Sequence, residues 1–177
     1  MNLRDDALAT LTAWTAPTST QAQLQRAFVE HLTVHSDGWS RSCVPDHLTA
    51  SAIVLDHDRE HVLLALHRKV RLWLQFGGHI EPSDISLLDA ARRETLEESG
   101  LAQVRFDSEG PVQLDRHAAP CGRGARHHLD VQYRAFADRS DVPASSIESL
   151  DVSWFPVTAL PSDTDDAVRS LVMTAIR

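Results

Sequence analysis

Apolar residues recur at helical spacing near the start of the chain. In QAQLQRAFVEHL they fall three or four positions apart, which predicts a helix over 20–35, and a shorter helix is predicted over 3–14. The segment APTST between them contains a proline and polar capping residues, so it separates the two helices. We therefore predict an N-terminal helical extension over 1–45, followed by a single domain over 46–177.

From residue 46 onward, short apolar runs replace the helical pattern. LTASAIVLD and HVLLALH predict two strands joined by the polar turn HDRE, and RLWLQF alternates as a third strand that GGHIEPSD interrupts. A helix over 86–99, ended by Gly100, comes next, and a last helix is predicted in DTDDAVRSLVMTAIR. Further strands are predicted near 102–107, 111–118, 127–137 and 150–156. Strands interspersed with a few helices predict an α/β (α+β) fold.

The charge balance and the hydropathy pattern narrow the possible partners. With 17 basic and 25 acidic residues the net charge is −8, and no block of lysine and arginine offers a surface for a nucleic-acid duplex. No apolar run reaches the roughly eighteen residues that span a bilayer, and the N-terminus lacks a signal-peptide pattern, so we expect no membrane partner and a cytoplasmic location. Cys43 and Cys121 lack CxxC spacing and are expected to be free thiols.

The predicted helix over 86–99 crowds three carboxylates onto one face. Glu94, Glu97 and Glu98 lie within an arc of roughly 100° that continues the apolar stripe beginning at Leu87. Glu94 and Glu98 form a like-charge i,i+4 pair, which destabilises a helix unless a cation neutralises it. Oxygen ligands of this kind suit Mg²⁺ or Mn²⁺. The alternative interpretation is a solvated charge patch with ordinary helical ion pairs.

A pair of glycines, Gly77 and Gly78, precedes the acidic helix. Without side chains, these residues allow a close approach of the backbone to another group. We predict that they form a loop that brings a carbonyl to the same metal ion or lets a phosphate chain pass close by.

The glycine pair and the acidic helix together resemble the Nudix box of the Nudix (MutT-like) hydrolase family, G-x5-E-x7-R-E-U-x-E-E-x-G-U, where U is bulky and apolar. RETLEESGL, residues 93–101, matches its second half, with Thr95 in place of the first bulky residue. In the first half, the expected glutamate is replaced by Asp84 with one extra residue before Arg93, and Glu81 is the other candidate. The segments LHRK, WLQFGGHIEP and HHLDVQY resemble a bacterial subgroup of the family.

This resemblance implies an α/β/α sandwich with a mixed β-sheet, and metal-dependent hydrolysis of a phosphoanhydride in a nucleoside diphosphate linked to another moiety. Glu94, Glu97, Glu98 and the Gly77 carbonyl would hold Mg²⁺ or Mn²⁺, and Glu94 is alternatively the general base. Arg93 would orient a glutamate. A non-catalytic module that senses a nucleotide is a second possibility. An isomerase is a third, but neither cysteine lies in a context that supplies its acid/base pair.

Two other segments offer possible pocket walls. On the strand HHLDVQY, His128 and Asp130 share one face, and they either approach the metal and phosphate site or are simply exposed. Trp73 leads into the glycine pair and is either a stacking surface for a base or a buried packing residue.

The N-terminal helices are a possible homodimer surface.

Overall fold

The computed structural model describes residues 2–107, 110–118 and 126–177. Within these ranges the chain forms helices and strands close to those predicted, in one α/β arrangement. The helices are α1 (Leu3–Ala13), α2 (Ser19–Val34), α3 (Leu87–Ser99) and α4 (Asp166–Ala175). The strands are β1 (Asp46–Leu55), β2 (His61–His67), β3 (Trp73–Leu74), β4 (Phe76–His79), β5 (Arg105–Phe106), β6 (Gln113–Ala118), β7 (His127–Phe136) and β8 (Ser149–Pro156).

The strands form one mixed sheet that is built around β1. This strand runs parallel to β7 along its whole length and antiparallel to β2 and β4. On the outer sides, β8 and β3 pair with β2, while β5 and β6 pair with β7. Helices α1, α2 and α3 cover one face of the sheet and α4 covers part of the other, each over its own apolar cluster. The predicted α/β/α sandwich with a mixed sheet is therefore confirmed.

Successive side chains of β1 point to opposite faces of the sheet. Leu48, Ala50 and Ala52 point into the core beneath α3, whereas Ile53 and Leu55 contact α4 on the other face. At the beginning of the strand the second face carries polar side chains instead, in His47, Thr49 and Ser51. Helix α4 covers only the apolar half of this face, so the polar half lines a cleft.

The N-terminal helices pack onto the rest of the chain. Leu11 of α1 and Phe28 of α2 are fully buried in the same core as α3. Asp6 accepts a hydrogen bond from the backbone N–H of Leu87, the first residue of α3, at 2.9 Å. The predicted extension thus contributes to the core that supports the acidic helix.

The single strand predicted for RLWLQF is wrong. The chain leaves β3 after Leu74 and enters β4 at Phe76, and the two strands have different partners, because β3 pairs with β2 and β4 with β1. Trp73 consequently lies in the core under α4 and Phe76 in the core under α3. The glycine pair lies inside β4 rather than in a loop, and the loop occupies residues 80–86.

The cysteines and the lengths of the helices bear on two further predictions from the sequence. Cys43 is buried, and Cys121, the other predicted free thiol, lies outside the described residues. In the described part of the chain, every helix is too short or too polar to cross a bilayer.

Candidate active site

Helix α3 places its carboxylates beside β4. Its first turn is capped by Ser86, whose hydroxyl accepts a hydrogen bond from the N–H of Asp89, and Gly100 ends it in the left-handed conformation. Leu87, Ala90 and Ala91 bury the apolar stripe of the helix against the sheet. Since the carboxylates continue this stripe, the same packing turns them toward the edge of the cleft.

Arg93 is held by five hydrogen bonds at the start of the acidic stretch. Its Nε and Nη2 donate to the two carboxylate oxygens of Asp84, both at 2.9 Å. Its Nη1 donates to Glu94 at 3.0 Å and to Glu97 at 3.3 Å, and Nη2 also donates to the carbonyl of His79 at 3.0 Å. The guanidinium therefore joins β4, the following loop and α3, and it contacts Glu94 directly.

Asp84 is the carboxylate that fixes Arg93. Burial acts to raise the pKa of Asp84, but hydrogen bonds from Arg93 and from the backbone N–H of Glu81 outweigh this effect and hold that pKa below its ordinary value. Glu81 is exposed and contributes its backbone rather than its carboxylate to this pairing. The extra residue of the motif lies before the first turn of α3, where a loop absorbs it.

Burial and mutual repulsion act on the remaining carboxylates. Burial, with repulsion from Glu94, Glu148 and Glu97, raises the pKa of Glu98 to about 8, although the N–H of Gly77 donates to Glu98 at 2.9 Å. Burial likewise raises the pKa of Glu94 against the opposing effect of the neighbouring guanidinium. The side chain of Glu97 is 61% exposed and completes the group at the rim.

The glycine pair lets β4 approach these groups closely. A Cβ atom added at Gly78 would lie 2.7 Å from the carboxylate of Glu94, and one at Gly77 would lie 2.2 Å from Cβ of Ser51. Glu94 and Glu98 have raised pKa values, and Arg93, whose donors are all engaged, donates to Glu94 and Glu97. This oxygen-rich, electron-rich donor set fits a divalent cation of the Mg²⁺ type.

Glu98, one of the three α3 carboxylates, lines a cleft of about 490 Å³ on the polar face of the sheet. Its walls include Gly77, Glu98, His128, Asp130 and Glu148. A second depression, of about 580 Å³, lies against α2, and none of the α3 carboxylates lines it. The cleft lined by Glu98 is therefore the candidate active site.

Asp130 and His128 face this cleft from β7. Asp130 is almost fully buried and accepts hydrogen bonds from Thr49 at 2.9 Å, from Ser51 at 2.6 Å and from Gln132 at 3.0 Å. These three neutral donors fix its orientation. A role for Asp130 as a metal ligand or base remains a prediction.

Trp73 does not line the cleft. It is 8% exposed and packs edge-on against Phe155, with ring centroids 4.7 Å apart. Its position matches the buried-packing alternative rather than a stacking surface for a base.

The cleft residues Thr49, Ser51 and Glu148, and the adjacent His47, are not among the predicted site residues. The polar residues His47, Thr49 and Ser51 alternate with apolar ones in DHLTASA, and this alternation is the signal that could have placed them on one strand face. Glu148 lies in an irregular segment just before β8, and only the tertiary fold brings it toward Glu98.

Comparisons with known proteins agree with this arrangement. The chain is 31% identical over 106 residues to Nudix hydrolase 19, chloroplastic, from Arabidopsis thaliana, an alignment that covers 58% of this chain and 23% of that protein. It is also 31% identical over 96 residues to the oxidized purine nucleoside triphosphate hydrolase of Danio rerio, covering 48% of this chain and 61% of that protein. The alignments thus span less than two thirds of the length of either relative.

A solved structure shows the same fold. A NUDIX-family hydrolase from Clostridium perfringens superposes with a TM-score of 0.61 at 24% identity, covering 73% of this chain and 95% of that one. The model of the NUDIX domain matches residues 45–175, which include β1, the glycine pair, the acidic helix and the cleft strands. The chain therefore belongs to the NUDIX domain family.

Proposed function

We propose that this protein is a divalent-metal-dependent pyrophosphohydrolase, which cleaves a phosphoanhydride bond in a nucleoside diphosphate linked to another moiety. The observation that carries the proposal is the carboxylate group of α3, in which Arg93 holds Glu94 and Glu97 and Glu98 lines a polar cleft. The names of the two curated relatives, a Nudix hydrolase and a nucleoside triphosphate hydrolase, support the same reaction class and a small nucleotide substrate.

Glu94, Glu97 and Glu98, with the carbonyl of Gly77, would hold Mg²⁺ or Mn²⁺. When bound there, such an ion supplies charge neutralisation for the phosphoryl oxygens and a lowered pKa for the attacking water. Arg93 holds Glu94 and Glu97 in place through Nη1 and is itself held by the buried carboxylate of Asp84. Its donors are engaged by the protein, so it positions the site rather than contacting substrate.

Glu98 carries a proton in the cation-free site at neutral pH. Its pKa of about 8 lies above the ambient pH, and its Oε2 accepts the Gly77 N–H in either protonation state. Ligation requires the deprotonated carboxylate, so cation binding should release a proton and should strengthen as the pH rises. Glu94, with its raised pKa and fixed orientation, is the residue we propose as general base if it is not itself a ligand.

The alternative, a non-catalytic module that senses a nucleotide, was suggested by the altered first carboxylate of the motif. The bidentate contact between Asp84 and Arg93 supports the enzyme instead, because this aspartate still holds the arginine that donates to Glu94 and Glu97. We therefore favour the enzyme.

The test is hydrolysis of a substrate panel by the full chain and by Glu97→Gln/Glu98→Gln. The panel comprises nucleoside triphosphates, dinucleoside polyphosphates, ADP-ribose, nucleotide sugars and NADH, each with Mg²⁺ and Mn²⁺, and the readout is release of phosphate or nucleotide. We expect a loss of about 100-fold or more in the double variant. The matched control, Glu30→Gln/Glu60→Gln, changes two exposed glutamates outside the cleft and should retain full activity.

Two outcomes would overturn the proposal. Undiminished or metal-independent product release in the double variant would place the reaction elsewhere. Nucleotide binding by the unaltered protein, with no product from any member of the panel, would favour the sensing module.

A further inference from the structure

Three histidines from three adjacent strands meet at one end of the cleft. His47 on β1 lies directly opposite His128 on the parallel strand β7, and His79 on β4 is opposite Thr49, two residues further along β1. The ring centroids are 5.2 Å apart for His47 and His79, 5.1 Å for His47 and His128, and 5.0 Å for His79 and His128. One ring nitrogen of each lies within 4.8 Å of those of the other two.

The orientation of His47 is the most informative feature of this cluster. The residue is fully buried, and its Nδ1 lies 3.3 Å from the backbone carbonyl of Cys43, to which only a protonated Nδ1 can donate. The other nitrogen, Nε2, is then a bare acceptor, and within the described part of the chain it is buried without any hydrogen-bond partner. An unsatisfied buried acceptor costs stability unless a ligand meets it.

A second set of contacts orients His128. Its Nδ1 lies 3.3 Å from Nε2 of His117, whose own Nδ1 lies 2.8 Å from a carboxylate oxygen of Asp115. Chains of this type, from a carboxylate through an imidazole, are what hold metal-ligating histidines in place.

We propose that His47, His79 and His128 form a second metal site, separate from the carboxylates of α3, that binds a transition-metal ion of the Zn²⁺ class. Imidazole donors suit Zn²⁺, Co²⁺, Ni²⁺ and Cu²⁺, whereas Mg²⁺ prefers oxygen. Nitrogen ligands of a tetrahedral zinc ion stand about 3.3 Å apart, so modest ring rotations would close the cluster around an ion.

The neutral state of the rings agrees with this site. Burial, together with Arg41 and the neighbouring rings, lowers the pKa of His79 to about 4 and that of His128 to about 3, and burial lowers the pKa of His47. A lowered pKa favours the uncharged imidazole, which is the form that binds metals. Three protein ligands leave a fourth position, and since His79 and His128 line the cleft, that position faces the space for substrate.

A competing cluster lies nearby and must be separated from this one. His35, Asp37 and Cys43 also bring three ligand atoms within 4.8 Å of one another. Burial and the charge of Asp37 raise the pKa of the Cys43 thiol to about 11, so it is a protonated, poor ligand at neutral pH. Replacing Cys43 with serine removes this cluster while keeping the carbonyl that orients His47.

The test is Co²⁺ and Zn²⁺ binding by the chelator-treated full chain, in excess Mg²⁺ to occupy the oxygen ligands. Co²⁺ is followed by its visible absorption, and Zn²⁺ by displacement of Co²⁺ and by calorimetry. We expect one equivalent with nitrogen-type spectra and no thiolate bands, unchanged by Cys43→Ser and by Glu97→Gln/Glu98→Gln. Removing a direct ligand should weaken binding at least as much as the 10- to 100-fold typical of supporting residues, in both His79→Asn and His128→Asn.

The variants also exclude trivial explanations. His61→Asn, which changes a partly buried histidine paired with a carboxylate outside the cleft, should bind Co²⁺ like the unaltered protein. Circular dichroism and a melting curve confirm that each variant is folded. The proposal would be overturned if the unaltered chain did not bind Co²⁺, or if both histidine variants still bound it. It would also be overturned if binding were lost only in Cys43→Ser or only in the glutamate variant. Because the readout is binding, the result does not depend on whether the protein hydrolyses nucleotides.

Discussion

Replacing Glu98 with glutamine should stabilise the cation-free protein while abolishing its activity. Glu98 is buried beside other carboxylates, and the folded state therefore disfavours its charge. Glutamine has nearly the same shape, keeps an oxygen that can accept from the N–H of Gly77, and carries no charge at any pH. The substitution thus removes the electrostatic cost and leaves the packing in place.

The magnitude follows from the pKa of Glu98, which is raised from its ordinary value of 4.5 to about 8. Between these two values the folded protein binds one proton more than the unfolded chain, so the free energy of unfolding falls as the pH rises, by about 1.4 kcal/mol per pH unit. The contribution of the protonated Glu98 carboxyl to stability is fully present below pH 4.5 and is lost above about pH 8. Over this window the free energy of unfolding falls by about 5 kcal/mol at most. Glu98→Gln should not show this fall.

The assay is urea denaturation of both proteins with a chelator present, at pH values from below 4.5 to above 8. The two should unfold at similar urea concentrations at the acidic end, and the variant should become progressively more stable toward the alkaline end. Added Mg²⁺ should stabilise the unaltered protein and not the variant. Glu97→Gln is the matched control, because that side chain is 61% exposed and its pair with Arg93 contributes about 1 kcal/mol or less. A difference between Glu98→Gln and the unaltered protein that is constant with pH, or favours the unaltered protein, would refute the reasoning.

Two further predictions concern the groups that position the carboxylates. Asp84→Asn removes the buried partner of Arg93, so we expect a loss of about 2–4 kcal/mol in the free energy of unfolding and a fall in kcat. Both are measured against Asp84→Glu, which keeps the charge. Unchanged stability would mean that the pair is not what holds the guanidinium. Gly78→Ala places a methyl group 2.7 Å from the Glu94 carboxylate, so we expect weaker cation binding by calorimetry with retained secondary structure, and cation affinity equal to that of the unaltered protein would contradict the close approach.

The fold was largely predictable because its elements carry local signals. The helices α2 and α3 have apolar stripes with identifiable caps, and β1, β2 and β7 are long enough to show as apolar or alternating runs. The prediction failed where local signals were ambiguous. RLWLQF alternates like one strand, yet Trp73 and Phe76 belong to opposite cores because the chain shifts from one partner strand to another between them. Only the pairing of strands distant in sequence decides such a point.

The candidate site divides in the same way. Helical spacing predicts that Glu94, Glu97 and Glu98 share one face, and in the structure Glu98 accepts a hydrogen bond from the N–H of Gly77. The sequence does not show the histidines at the end of the cleft as a group, because His47, His79 and His128 are each more than thirty residues from the next along the chain. A cluster of this kind has no spacing in the sequence and is visible only after the register of the sheet is known.

The extra residue in the motif shows which part of it is structurally rigid. Between Arg93 and Glu98 the residues lie on one helix, where an insertion would turn every later side chain by about 100° and carry the glutamates out of the cleft. Asp84 lies before the helix, in a loop, and its contact with Arg93 depends only on the carboxylate reaching the guanidinium. A shorter acidic side chain and one additional residue can therefore compensate each other there without changing the phase of α3. The spacing within the helix is thus a stricter criterion for a working site than the spacing across its start.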